Sequence, residues 1–167
     1  MEEQLPKRKS LRLQSHDYSR NGYYFVTICT AVRHQNILCT LAPAVGAITN
    51  RPPVQATLTT WGTAVERAIR EIPSRYSGVT VDCCAIMPDH VHLVLAIQQT
   101  GPDGRQIAAP TSLSTIMQQF KRAVSRTIGV SIWQKSYYDH VIRSDADLAE
   151  TRQYIQSNPA KALEERV

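Results

Sequence analysis

The sequence predicts an α+β fold, in which one antiparallel sheet carries two helices on one face and a further C-terminal helix on the other. Three observations lead there. Runs rich in β-branched and aromatic residues alternate with stretches of helical periodicity in the order β-α-β-β-α-β, followed by a last helix. The runs at 79–86 and 90–97 are separated only by Met87-Pro88-Asp89, too short a link for a crossover, so these strands pair antiparallel. The composition, 43% hydrophobic and 20% charged over 167 residues, is that of a chain able to bury a core. The chain is read as a single domain, residues 1–167, and the β-α-β-β-α-β order is the split, ferredoxin-like arrangement.

The elements follow in order. Residues 23–30 (YYFVTICT) read as the first strand. Residues 36–60 lack steady periodicity and carry Pro43, Gly46, Pro52 and Pro53, so a long irregular connection is expected. Val65, Ala68, Ile69 and Ile72 recur at helical spacing within 61–72, and Pro73 is expected to end that helix. After the strand pair comes a polar loop at 98–110. Ser112 caps a helix running to about Ile128, with Leu113, Ile116, Met117, Phe120, Val124 and Ile128 as its buried stripe and Gly129 closing it. Residues 132–143 (IWQKSYYDHVIR) read as the fourth strand. Ser144 or Asp145 caps the last helix, expected to end near Asn158 because Pro159 disfavours the α conformation in the residue before it.

Net charge is +5, compatible with a polyanionic partner without requiring one. Lys7, Arg8, Lys9 and Arg12 lie in a basic N-terminal arm spanning 1–20, and Lys121, Arg122 and Arg126 ride on one predicted helix. Either group is a phosphate-binding surface or a solvated charged face. No apolar h-region follows the charged start and no apolar run is long enough to cross a bilayer, so a cytoplasmic protein without a membrane role is expected. Cys29, Cys39, Cys83 and Cys84 form no Cys-x-x-Cys pair, which argues against a zinc ribbon and for reduced thiols.

His90-Val91-His92 carries the clearest chemistry. Strand side chains alternate between faces, so both imidazoles leave one face together while Val91, Leu93, Leu95 and Ile97 enter a core on the other. Two neutral imidazoles side by side are either half of a divalent-metal site or simply hydrogen-bonded histidines. Tyr154 and Asn158, four residues apart, share one side of the last helix, whereas Leu148 and Ile155 mark its apolar stripe. Tyr154 is thus a boundary aromatic or a nucleophile. A phenol can attack a phosphodiester beside a divalent ion, giving a covalent phosphotyrosine that a second hydroxyl can reverse. The Asn158 amide oxygen could complete a set suited to Mg or Mn.

Five blocks of this chain resemble a known family in its order: RKSLRL with DYSRNGYYFVTICT within 8–30, MPDHVHLVL at 87–95, FKR at 120–122, WQKSYYDHVIR at 133–143 and RQYIQSNPAKA at 152–162. The chain resembles the single-tyrosine HUH transposases, in particular the REP-associated tyrosine transposases. The resemblance implies His90 and His92 as metal-binding histidines, Tyr154 as the nucleophile and Asn158 as third ligand, with a ferredoxin-like fold. It also implies cleavage and rejoining of single-stranded DNA, in a hairpin or palindromic repeat, with a 5′-phosphotyrosine intermediate and a free 3′-hydroxyl. Dimers of this broad family can present the tyrosine helix to the partner's histidines, so a homodimer and either use of Tyr154, within or between subunits, stay open.

Other residues carry weaker expectations. His140 is read as structural or as a support for a metal ligand, and Asp89 as finishing a turn or orienting an imidazole. Trp61 and Trp133 read as core or sheet-edge residues, and His16 and His34 give no signal. Two alternatives stand beside the transposase reading: a non-catalytic module that binds single-stranded nucleic acid on the same fold, and a hydrolytic nuclease using water in place of tyrosine.

Overall fold

The computed structural model describes residues 17–18, 20–32, 34–44, 54–98 and 111–164. The basic residues Lys7, Arg8, Lys9 and Arg12 and most of the 98–110 loop lie outside the described residues. Strands β1 (Gly22–Cys29), β4 (Val79–Ile86), β5 (His90–Ile97) and β6 (Tyr138–Ile142) form one sheet in the order β4-β5-β1-β6. Every neighbouring pair in it is antiparallel. This is the expected split arrangement: β1 and β4 run the same way with β5 between them.

Helix α1 (Thr60–Arg70) and helix α3 (Leu113–Ile128) cover one face. Val26 and Ile28 of β1, Val91, Leu93 and Leu95 of β5, Val65 and Ile69 of α1 and Ile116, Phe120 and Val124 of α3 close the larger core there. The opposite face is covered by α4 (Asp145–Glu164), whose Leu148 and Ile155 pack on Val94 and Ile142, with Phe25 and Cys83 at the margin. Period-two alternation in β5 thus divides its side chains between the two layers as the sequence implied. The caps also match. The Ser112 hydroxyl accepts from Thr115 N–H, Gly129 takes a left-handed φ of 79°, and the Ser144 hydroxyl accepts from Asp147 N–H at 3.1 Å.

Four expectations need correction. Residues 36–60 hold an antiparallel ribbon, β2 (Cys39–Pro43) with β3 (Val54–Leu58), in register from Cys39 opposite Leu58 to Pro43 opposite Val54. The ribbon has no fully buried face, so it leaves no alternation to read. Pro73 does not terminate a helix; it sits in the first turn of the short α2 (Ile72–Arg75), where a missing N–H leaves no bond unmade. The fourth strand is short, because ladder pairing in 131–137 is limited to an isolated bridge of Trp133 to Thr30. The carbonyls of Gln134 and Ser136 instead accept from the Lys121 ammonium at 2.9 and 2.8 Å. Finally, α4 runs through Pro159 to Glu164. Proline cannot return a hydrogen bond to the Ile155 carbonyl, but α4 rests against β2 and β3 as well as β4. That packing outweighs the local preference, so the unforeseen ribbon and the unforeseen helical extension belong together.

Candidate active site

The site is built where β5, β1 and α4 meet. Register places Cys29 opposite His90 and Thr27 opposite His92, all on the α4 face. His92 is 3% exposed. Its ring stacks on Phe25 with centroids 5.4 Å apart, and its Nδ1 lies 2.9 Å from the Thr27 hydroxyl. His90 Nδ1–H donates to Asp89 Oδ1 at 2.7 Å, since a carboxylate only accepts. Both rings therefore turn Nε2 inward, and the two Nε2 atoms stand 3.1 Å apart. Asn158, one turn beyond Tyr154 on α4, brings its amide nitrogen to 2.6 Å from His92 Nε2. An amide nitrogen donates, so His92 Nε2 holds a lone pair and Nδ1 the proton given to Thr27. Burial, aided by repulsion from His90, pushes the His92 pKa down to about 3, so this imidazole is neutral at ordinary pH.

Asp89 serves the turn and the imidazole together. It is buried, its carbonyl accepts from the Thr30 N–H and hydroxyl, and its Oδ2 accepts from the His34 N–H at 2.8 Å. His34 reaches that position with a left-handed φ of 61°, so its backbone matters here rather than its ring. Tyr154 is 43% exposed and packs edge-on against His92 (5.4 Å) and Phe25 (6.0 Å). The Lys161 ammonium lies 5.9 Å from the Tyr154 ring centre. Lys161 was missed by sequence reasoning, because its place beside Tyr154 depends on α4 continuing past Pro159.

The chemistry of this donor set fits a divalent cation. Two nitrogens 3.1 Å apart match neighbouring corners of an octahedron with bonds of about 2.1 Å, whose edge is about 3 Å. Among the described residues no group of three or more His, Cys, Asp or Glu could hold a metal; beside the two imidazoles the nearest further donor group is the Asn158 carboxamide, at 2.6 Å from His92 Nε2.

The remaining candidates fall elsewhere. His140 lies on the same sheet face, but its Nε2 is 3.1 Å from both Asp147 carboxylate oxygens. It ties β6 to the first turn of α4. Lys121, Arg122 and Arg126 sit on α3, across the sheet from the histidines. Lys121 is committed to the two backbone carbonyls, whereas Arg122 and Arg126 are exposed and, with Lys135, line a groove of about 560 Å³ beside Trp133. Trp133 and Ile132 join the larger core. All four cysteines are free, and Cys83, whose thiol burial pushes up to about 12, is no nucleophile.

The sequence profile of the family described as "Transposase IS200 like" matches residues 47–158. The chain belongs to the IS200-like transposase family. Relatives of the chain occur in Haemophilus influenzae. One, an uncharacterized protein, is 28% identical over 91% of this chain and 88% of its own length. The other, assigned as a REP-associated tyrosine transposase, is 26% identical over 87% of this chain and 74% of its own length. A solved REP-associated tyrosine transposase bound to a REP hairpin shares the fold, with a TM-score of 0.63, 19% identity and coverage of 90% of this chain and 74% of that one. Among the described residues, no helix is long and apolar enough to cross a membrane.

Proposed function

We propose that this chain cleaves and rejoins single-stranded DNA through a covalent link to Tyr154. One observation carries the reading. Within a single chain, an exposed phenol packs against a buried imidazole whose Nε2 also faces a second imidazole and a carboxamide. In the reaction, the Tyr154 oxygen bonds to a phosphodiester phosphorus and the phenolic proton passes to solvent. The bond from phosphorus to the 3′ oxygen breaks, and that oxygen takes up a proton. The products are a 5′-phosphotyrosine and a 3′-hydroxyl. A 3′-hydroxyl attacking the same phosphorus regenerates the phenol, so rejoining is the reverse step.

His90, His92 and Asn158 would hold Mg or Mn, which when bound withdraws charge from the phosphate and fixes its orientation. Asp89 and Thr27 hold the two rings with Nε2 toward that position. Phe25 and His92 wall the phenol. The positive charge of Lys161 beside the ring attracts phosphate. Because Tyr154 lies over its own chain's histidines, one subunit holds a complete set. The hairpin carried by the solved relative supports a DNA hairpin or palindromic repeat as partner. Arg122 and Arg126, with the N-terminal arm, would contact its phosphates away from the reacting centre. The cytoplasm is the proposed compartment.

The test is incubation of a labelled library of single-stranded hairpins with the protein and Mn, followed by denaturing gels. Wild-type protein should give shifted protein–DNA adducts that EDTA abolishes, and Tyr154→Phe should bind the strands without forming any. Adducts from Tyr154→Phe would remove it as nucleophile. Cut strands without adduct would mean hydrolysis by water. Salt-sensitive binding with no cleavage in any condition would leave a binding module.

A further inference from the structure

Among the described residues, the large apolar side chains most open to solvent are Val32, Val130, Tyr138 and Tyr154. Both aromatic ones lie on the histidine face of the sheet. The proposed chemistry accounts for the exposure of Tyr154 and leaves that of Tyr138 unexplained. Tyr138 is 52% exposed, and its ring and hydroxyl make no side-chain hydrogen bond or ring contact among the described residues. Leaving a tyrosine so bare forgoes most of the stabilisation its ring would gain by burial.

Its position is fixed by two registers. Tyr138 of β6 lies opposite Thr27 of β1, and Thr27 lies opposite His92 of β5. Residues directly opposed in antiparallel strands share a face, so Tyr138, Thr27 and His92 form one row across the sheet. With strands about 4.8 Å apart, Tyr138 stands about 10 Å from His92 along that row. The anchors of α4 leave this end of the row uncovered. Its first turn is tied to His140 through Asp147, Arg152 is paired with Asp82 on β4, and Asn158 reaches His92 on β5.

We propose that Tyr138 is the stacking platform for an unpaired base of the DNA strand whose phosphate lies at the His90–His92 pair. The inference rests on the DNA-cleavage reading and adds a base-binding position to it. Even at the stacked spacing of about 3.4 Å per nucleotide, a strand crosses from His92 to Tyr138 within about three nucleotides. The occupant is set by continuity with the histidine pair and by charge. Arg143 is exposed just after β6, where it can follow the phosphates of an extended strand, and the chain carries a net charge of +5. A bare phenol ring offers a π-face to any base, while a duplex keeps its bases covered, so the platform selects single strands without reading sequence.

The experiment measures the Kd of the full chain for single-stranded oligodeoxynucleotides carrying 2-aminopurine at successive positions, in EDTA so that the strand stays intact. Tyr138→Ala should raise Kd about tenfold and remove stacking quenching at one position, whereas Tyr138→Phe and Tyr138→Trp stay within about twofold of wild type. Duplex affinity should be the same for all four proteins. Melting temperature should be unchanged in Tyr138→Ala, since the side chain is half exposed on a sheet-edge strand. Wild-type affinity in Tyr138→Ala overturns the proposal, as does an equal loss in Tyr138→Phe, which would mean a hydroxyl contact. A changed oligomeric state in Tyr138→Ala, seen by sedimentation, also overturns it, because the ring would then cover a second copy of the chain. Adduct formation by a wild-type protein whose affinity ignores Tyr138 sinks this inference alone; a wild-type protein that binds no single strand sinks the cleavage reading as well.

Discussion

Asp89 shows how much of the site is decided one residue away from the chemistry. Its carboxylate fixes His90 with one oxygen and receives the His34 N–H with the other, so the ring is oriented by a group that is itself held in place. Partners of this kind typically govern metal affinity by one to two orders of magnitude. Asp89→Asn should therefore weaken Mn binding about 10- to 100-fold in calorimetric titration while leaving the fold intact. The histidine pair was legible in the sequence because period-two alternation is local. The double duty of Asp89 was not, since it depends on Thr30 and His34, more than fifty residues earlier. Thr27 was hidden for the same reason: only register reveals which β1 residue faces His92.

At the scale of elements, the structure depends on two close approaches that sequence patterns do not announce. Gly62 opens α1 under the Leu38 carbonyl, and a Cβ built there would meet that oxygen at 1.9 Å. The neighbouring Thr59 hydroxyl donates to the Ile37 and Leu38 carbonyls and accepts the Gly62 N–H, which pins the helix start to the segment before β2. Because the obstacle is backbone, Gly62→Ala should destabilise the protein by about 3 kcal/mol in chemical denaturation. The second approach is at β4, where a bulge between Val81 and Cys83 takes Asp82 out of register. The Asp82 carboxylate accepts from two of the three Arg152 guanidinium nitrogens, Nε at 2.8 Å and Nη2. This ion pair anchors α4 two residues before Tyr154 and holds the Asp82 carboxyl below its usual pKa of 3.8. A lowered pKa means stabilisation that is present above 3.8 and fades as pH falls through the lowered value. Arg152 is 44% exposed, so solvent screening keeps the pair weak. Asp82→Asn should thus lower the melting temperature slightly at pH 7, with the difference from wild type closing in acid melts. The long helices and central strands were legible because each buries a stripe. The β2–β3 ribbon and the tail of α4 were not, because the ribbon buries no alternating face and the preference of Pro159 does not reveal the contacts of α4 with β2 and β3.

For the whole molecule, the sheet separates two layers: α1 and α3 close the larger core on one side, and α4 carries Tyr154 and Asn158 over the histidines on the other. The fold order was readable from the alternation of periods, whereas the relation of Tyr154 to its own histidines was not, because sequence leaves the docking of a terminal helix undetermined. With phenol and imidazoles meeting in one chain, equimolar mixing of Tyr154→Phe with His92→Ala should restore no adducts on denaturing gels. Recovery to a large fraction of wild-type yield would mean that subunits exchange tyrosines.

The order of elements along the chain has a further consequence. Synthesis delivers every strand and both helices of the larger core before residue 145, so that core can close while Tyr154, the proposed nucleophile, is still unmade. On the proposed reading, a nascent chain is then folded before it holds a nucleophile. The site is completed last, when a single helix settles onto a finished surface.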